Sequence, residues 1–118
     1  MATLRKCFTQ PTLEGISKIL GDTNSGLTGS EIQHLLAQSK ITDISPTSTK
    51  WKRIYDAFAV YQNNNQCSNN ILNFIALALA PAKYVNSPEV FAEKRNQINQ
   101  QLSFIGYQFN ENGSFSEI

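Results

Sequence analysis

Three basic residues stand close together in the middle of the chain, in the segment Lys50-Trp51-Lys52-Arg53. The hydroxyl residues Thr47-Ser48-Thr49 come directly before them and are of the type that precedes a helix. Positive charge is unfavourable in the first turn of a helix, since the helix dipole is already positive there. A phosphate or carboxylate at that end would be held jointly by amide groups, hydroxyls and cations. The segment therefore predicts an anion site that binds DNA or RNA. Its expected residues are Ser48, Thr49, Lys50, Lys52 and Arg53.

The same segment has a simpler interpretation as a solvated helix face. On a helical wheel, Lys52 and Arg53 project away from the apolar stripe into solvent, and Asp56 stands four residues after Lys52, where it can pair with it. The net charge of +1 over 118 residues also provides no strong long-range field toward nucleic acid or a membrane. Both interpretations stay open on the sequence alone.

Patterns for catalysis or metal binding are weak. His34 is the single histidine, and no cluster of Cys or carboxylate residues stands near it at metal-ligand spacing. A Cys–His dyad would need Cys7 or Cys67 beside His34 in the fold; the alternative is an exposed histidine on a polar helix face. The two cysteines form no Cys-x-x-Cys motif, which predicts a reduced, cytoplasmic pair. The glycines match neither the dinucleotide-binding motif nor the P-loop. We therefore expect no enzyme activity, no metal and no cofactor.

Caps and periodicity predict five helices. The first follows Pro11 and ends at Gly21. The second begins with a capping box of Thr28 and Glu31 and continues to about Ser39. The third follows a connector and carries a stripe with the i, i+3, i+4, i+7 spacing of a buried helix face. That stripe consists of Trp51, Ile54, Tyr55, Phe58 and Tyr61.

The second half of the chain continues this pattern. Residues 62–70 are polar and predict a loop, after which residues 71–79 are apolar nearly all round and predict the central helix. Ser87-Pro88 predicts the start of a fifth helix, which extends to Gly106. The Asn112-Gly113 pair between short alternating segments predicts a hairpin over residues 107–118.

The expected fold is mainly α: one compact five-helix domain over residues 1–118 with a short C-terminal β-hairpin. The order of elements is similar to a helix-turn-helix or winged helix, although the connector before the third helix is longer than the usual turn. We expect the second helix to pack against Trp51, Tyr55 and Phe58 of the third. Residues 71–80 are too few to span a bilayer, so we expect no membrane association. The residues expected to be most buried are Leu35, Trp51, Ile54, Phe58, Phe74, Ile75 and Leu102.

Two segments of the sequence are especially distinctive, namely Leu20-Gly21-Asp22-Thr23 and Gly26-Leu27-Thr28-Gly29-Ser30-Glu31-Ile32. Through them the chain from Phe8 onward resembles the N-terminal helical domain of bacterial abortive-infection-like proteins. In that family the domain precedes a C-terminal HEPN-like domain of the ymh type. The other matching residues are Leu35-Leu36, Thr49-Lys50, Arg53, Asn73-Phe74-Ile75, Ala78-Leu79-Ala80-Pro81, residues 95–102, Gly106 and Asn112-Gly113.

The resemblance implies a role in antiphage defence, in which HEPN domains act as ribonucleases and the leading domain senses, binds or regulates. HEPN chemistry uses an Arg a few residues from a His, and no Arg stands shortly before His34. We therefore expect this chain to be a non-catalytic binding domain, either the N-terminal part of a longer protein or a stand-alone relative. The alternative function is a protein-interaction or dimerisation module that controls a fused HEPN ribonuclease.

Overall fold

The structure is a computed structural model that describes residues 3–118. Within it, five α-helices follow one another and a two-stranded antiparallel hairpin closes the chain. The helices are α1 (Gln10–Leu20), α2 (Gly29–Gln38), α3 (Lys50–Asn65), α4 (Asn69–Ala78) and α5 (Pro88–Leu102). Short 3₁₀ turns at Pro81–Tyr84 and Ser103–Ile105 follow α4 and α5, and the strands are β1 (Tyr107–Phe109) and β2 (Phe115–Glu117). The predicted fold class, mainly α with a short C-terminal hairpin, is confirmed.

The start of α2 is fixed by the predicted capping box. The Thr28 hydroxyl oxygen accepts the amide of Glu31 at 3.1 Å, and the Glu31 carboxylate accepts the amide of Thr28 at 2.9 Å. The bond from the Thr28 backbone is also the main reason that the pKa of Glu31 lies below its usual value. Local hydrogen bonds thus determine where α2 begins.

The third helix is longer than the sequence predicts. Residues 62–65, expected to be loop, form its last turn, and α3 ends at Asn65, followed by Gln66, whose φ of 55° lies in the left-handed region. Gln62 accounts for the difference, because its side chain accepts the amide of Phe8 at 2.7 Å and donates to the Phe8 carbonyl at 2.9 Å. The polar residues at this end of α3 therefore hold the segment before α1 instead of ending the helix.

The central position of α4 is confirmed. Phe74 and Ile75 are fully buried, and the Phe74 ring meets the Phe58 ring of α3 edge-on, with their centroids 5.1 Å apart. The residues expected to be most buried are all buried except Trp51, which is half-buried. Trp51 differs because its ring lies beside α1 at the edge of the core, with the Lys18 ammonium 4.9 Å from the ring centroid.

The third helix packs mainly against α1, whereas the sequence predicts α2 as the partner of Trp51, Tyr55 and Phe58. Gly21, directly after α1, lies so close to α3 that a Cβ there would be 2.6 Å from the amide nitrogen of Trp51. Tyr55 borders a shallow depression together with Phe8 and Leu13. Because glycine has no side chain, α1 can approach α3 closely. The second helix packs chiefly against α4. Residues 39–49, which join α2 to α3, are also longer than the turn of about three or four residues in a helix-turn-helix.

The C-terminal hairpin forms around Asn112-Gly113, as predicted. Phe109 pairs with Phe115 across the turn. Phe109 is fully buried, and Asn99 of α5 accepts its amide at 2.7 Å and donates to its carbonyl at 3.1 Å. Since the Asn99 side chain bonds to Phe109 as a neighbouring strand would, the hairpin is held on α5.

Removal of the cap at Thr28 should destabilise the domain. We expect Thr28→Ala to lower the free energy of unfolding by about 1 kcal/mol, because the amide of Glu31 loses its acceptor. Urea denaturation followed by circular dichroism measures the change. Thr47→Ala is the matched control, since Thr47 is exposed in the connector. Equal losses for the two variants would contradict the role of the cap.

The Glu31 carboxylate should also make this cap depend on pH. A carboxyl with a lowered pKa stabilises the folded state above its unfolded-state pKa, here 4.5, and that stabilisation is lost as the pH falls through the folded-state pKa. The stability difference between the native protein and Glu31→Gln should therefore be constant from pH 7 to about pH 5.5 and shrink below about pH 4.5. Urea midpoints measured across this range provide the test, and a difference independent of pH refutes the assignment.

Candidate nucleic-acid interface

The first turn of α3 has no side-chain cap in the described chain, and Gly21 lies against its Trp51 amide nitrogen. Thr49 directly precedes the helix and is exposed, and in the described chain its side chain makes no capping hydrogen bond. The first helical hydrogen bond runs from the Arg53 amide to the Thr49 carbonyl at 2.9 Å, so the amides of residues 50–52 are those of an uncapped first turn. Ser48 is half-buried, and its amide donates to the Ser45 carbonyl at 3.1 Å.

Two lysines flank this uncapped turn. Lys52 is exposed, and Lys50 is half-buried with its Nζ 3.5 Å from the carbonyl oxygen of Thr23 in the α1–α2 loop. Asp56, which the solvated-face interpretation paired with Lys52, instead accepts a hydrogen bond from the Ser45 hydroxyl at 2.9 Å. Among residues 3–118, no ion pair includes Lys52, whose side chain is exposed at the helix start.

Arg53 does not belong to the exposed surface, and its predicted place in the anion site is wrong. The residue is 9% exposed. Its Nε donates to the Asp43 carboxylate at 3.1 and 3.2 Å, its Nη2 also contacts Asp43, and its Nη1 donates to the Gly29 carbonyl at 3.2 Å. The hydrogen bonds from Asp43 raise the pKa of Arg53. A helical wheel places Arg53 in solvent because it does not include the connector, which brings Asp43 to this side of α3.

A third cation, Lys18 of α1, lies beside the start of α3. Its Nζ is 4.9 Å from the centroid of the Trp51 ring and 3.1 Å from a carboxylate oxygen of Glu14. The Trp51 ring is in turn 6.4 Å from that of Tyr55. The sequence analysis missed Lys18, because its spacing from Glu14 indicates only a surface ion pair and its closeness to Trp51 follows from the packing of α1 on α3.

These groups define one surface at the start of the third helix. The α3-start surface consists of Lys18, Thr49, Lys50 and Lys52, with Ser48 half-buried behind it. It brings together four of the five residues that the sequence predicted and excludes Arg53. Three ammonium groups, a hydroxyl and an uncapped helical turn can together hold an anion.

The residues that could perform nucleophilic chemistry lie in different surroundings. His34 is exposed on α2, in a depression bordered by Leu35 and Gln38. Cys67 is buried with its Sγ 3.4 Å from the Tyr61 hydroxyl, and Cys7 is exposed. Among residues 3–118, no three His, Cys, Asp or Glu side chains come close enough to hold a metal ion. None of the helices in this range has the length and apolar character needed to span a bilayer.

Lys94 is a buried cation that the sequence analysis did not single out. It lies on α5, is 7% exposed, and its Nζ donates to the Ile19 carbonyl at 3.2 Å. Its spacing from Phe91 and Ile98 puts it on the apolar stripe of α5. That spacing is the signal from which its burial could have been found.

Charge reversal should affect the free energy of unfolding differently at the two neighbouring cations of α3. We expect Arg53→Glu to lower the free energy of unfolding by about 3 kcal/mol or more, because it removes a buried partner of Asp43 and adds a second carboxylate. Lys52→Glu, one residue away and exposed, should change it by less than about 0.5 kcal/mol. Urea denaturation measures both variants. A loss at Arg53→Glu no larger than at Lys52→Glu would show that the Asp43 pair has no structural role.

No protein-family model, curated protein or solved structure matches this chain. The resemblance to abortive-infection-like proteins therefore stays a prediction of the sequence.

Proposed function

We propose that this chain is a non-catalytic binding domain that holds the phosphate backbone of DNA or RNA at the α3-start surface. The observation that carries the proposal is the placement of Thr49, Lys50 and Lys52 around an uncapped first turn. Cations at this end of an isolated helix are unfavourable by about 0.3–1 kcal/mol each when exposed. A bound phosphate reverses that effect, since it accepts from first-turn amides and pairs with the same ammonium groups.

Two helices contribute cations to this surface. Lys18 projects from α1 beside Trp51 and is paired with Glu14, whereas Lys50 and Lys52 flank the start of α3. Cations on two helices suit successive phosphates of a polymer better than a single small anion. The net charge of +1 supports local recognition over long-range attraction.

The role of Arg53 in this proposal is to position the surface. Its bonds to Asp43 and to the Gly29 carbonyl hold the connector and the start of α2 against α3. The uncapped turn is thereby presented in one orientation. The α2 capping box supports the same arrangement, because it fixes the residue at which α2 begins.

The family resemblance supplies the biological context of the proposal. We place the domain in antiphage defence in the bacterial cytoplasm, where nucleic-acid binding would position or control a HEPN-like ribonuclease. Lys50 and Arg53, which are among the residues that carry the resemblance, both lie at the start of α3.

Charge reversal at the two α3 lysines tests the proposed function. We expect the native protein to bind a fluorescein-labelled oligonucleotide with an affinity that falls about 7- to 40-fold between 50 and 200 mM salt, as two or three phosphate contacts to single-stranded or duplex nucleic acid imply. Lys50→Glu with Lys52→Glu should abolish binding in that range and flatten the salt dependence. Fluorescence anisotropy with single-stranded DNA, single-stranded RNA and duplex DNA measures both quantities.

The matched control changes the total charge equally at another place. Lys6→Glu with Lys40→Glu reverses two other exposed lysines and should retain most of the binding. If the two double variants lose binding to the same extent, the effect is one of net charge and the α3-start surface is not the site. Undiminished binding by Lys50→Glu with Lys52→Glu would likewise reject it.

A protein-interaction or dimerisation module is the second candidate function. Phe104 is 74% exposed and Ile118 is 75% exposed. The amide of Ile118 donates to the Gly106 carbonyl at 3.0 Å, which keeps the chain end beside the turn that carries Phe104. Apolar contact of this kind is nearly indifferent to salt. Sedimentation equilibrium of the native protein and of Phe104→Ser distinguishes it, because self-association that persists at 0.5 M salt and is lost in the variant favours this function.

A further inference from the structure

A pocket of about 180 Å³ lies between the α1–α2 loop, the end of α4, the 3₁₀ turn after it, and α5. Leu20, Leu27 and Leu79 form much of its apolar wall, whereas Lys94 and Lys83 bring ammonium groups to it. We call it the Lys94 pocket. None of the α3-start residues borders it, so it is a separate site.

The buried Lys94 ammonium is the main polar group of the pocket. It donates to the Ser25 hydroxyl at 2.9 Å and to the Ile19 carbonyl, which together use two of its three protons. In the described part of the chain, none of the ion pairs includes Lys94. A buried charge without an opposite charge beside it is costly, and the adjoining cavity offers space for an anion that would provide one.

The two partners of Lys94 hold it in place without neutralising it. The Ile19 carbonyl belongs to the last turn of α1, where a helix carries only partial negative charge. The Ser25 hydroxyl, which accepts from Lys94, donates its own proton to Asp22 at 2.9 Å. Asp22 is exposed and does not line the pocket; hydrogen bonds from Ser25 and Asn24 lower its pKa, and the charge of Lys94 makes a smaller contribution. The ammonium is thus oriented before any ligand arrives.

The charged residues that line the pocket are Lys83, Lys94 and Glu31, and these three leave one positive charge in excess at the cavity itself. Glu31 has one carboxylate oxygen in the capping box and the other 3.4 Å from the Lys83 ammonium. This pair cancels formally, and Lys94 remains. The half-buried Tyr84 also borders the pocket, and a tyrosine hydroxyl is a proton donor at neutral pH. Two cations, a phenol and an apolar wall suit a ligand with one negative charge and a short apolar body.

We propose that the Lys94 pocket binds a small monocarboxylate, with the carboxylate on Lys94 and the apolar body against Leu20, Leu27 and Leu79. The volume supports a small ligand, because pockets for drug-sized molecules occupy about 300–1,000 Å³. The single excess charge favours a carboxylate over a phosphate dianion. The half-buried Tyr84 and the exposed Lys83 side chain stand at the polar part of the pocket, where a ligand can enter.

Titration of the ¹⁵N-labelled protein with sodium butyrate tests this proposal directly. We expect saturable shifts of the amide signals of Gly26, Leu27, Leu79 and Lys83, with the signals of α3 unchanged. Butyramide, which has the same apolar body and no charge, should bind at least about tenfold more weakly. Inorganic phosphate should not produce these shifts. Failure of butyrate to shift the pocket signals, or equal shifts with butyramide or phosphate, overturns the proposal.

Two variants locate the charge that holds the ligand. Lys94→Met should abolish the butyrate shifts, and Lys40→Met, which removes an exposed cation outside the pocket, should retain them. Lys83→Met provides a second measurement if Lys94→Met does not fold, since Lys83 is exposed and its loss cancels the excess charge. We expect Lys83→Met to weaken butyrate binding at least about tenfold. Undiminished butyrate binding in either pocket variant overturns the assignment, whereas the α3-start proposal does not depend on these results.

Discussion

The buried guanidinium of Arg53 is the interaction on which the arrangement of α2 and α3 depends. One side chain of α3 binds Asp43 in the connector and the Gly29 carbonyl at the start of α2. A charge removed from water costs several kcal/mol unless its partners match it well. Here the planar fork of donors meets two carboxylate oxygens and a carbonyl. Because α2 otherwise packs chiefly against α4, this contact sets the orientation of α2 relative to α3, and with it the exposure of Lys50 and Lys52.

The parts of the fold that follow from neighbouring residues could be predicted from the sequence. The α2 capping box and the hairpin at Asn112-Gly113 each involve residues a few positions apart, and the burial of Phe74 follows from an apolar segment with no polar face. The identity of each helix's neighbour could not be predicted in this way. A helical wheel shows which face of α3 is apolar, but the packing of Trp51 on α1 depends on the close approach that Gly21 allows.

The candidate site was predicted less completely for the same reason. Spacing identified the uncapped helix start with Lys50 and Lys52, because position in a first turn is a local property. Spacing also placed Arg53 in solvent, since Asp43 reaches it only through the path of the connector. The sequence analysis also missed the burial of Lys94. This residue lies on the apolar stripe of α5, although charged residues are seldom buried without a partner. In both cases the position of a charge was decided by a distant segment.

The loop between α1 and α2 connects the two surfaces that carry the proposals. Its Thr23 carbonyl contacts the Lys50 ammonium, and its Ser25 hydroxyl accepts a hydrogen bond from Lys94. This loop leaves no space for a side chain at Gly26, because a Cβ there would overlap a backbone nitrogen of the same loop. A side chain at that position must therefore move the loop, and the loop cannot move without displacing the partners of both ammonium groups. Glycine at this position is thus required by the geometry of two separate cation sites as well as by the turn itself.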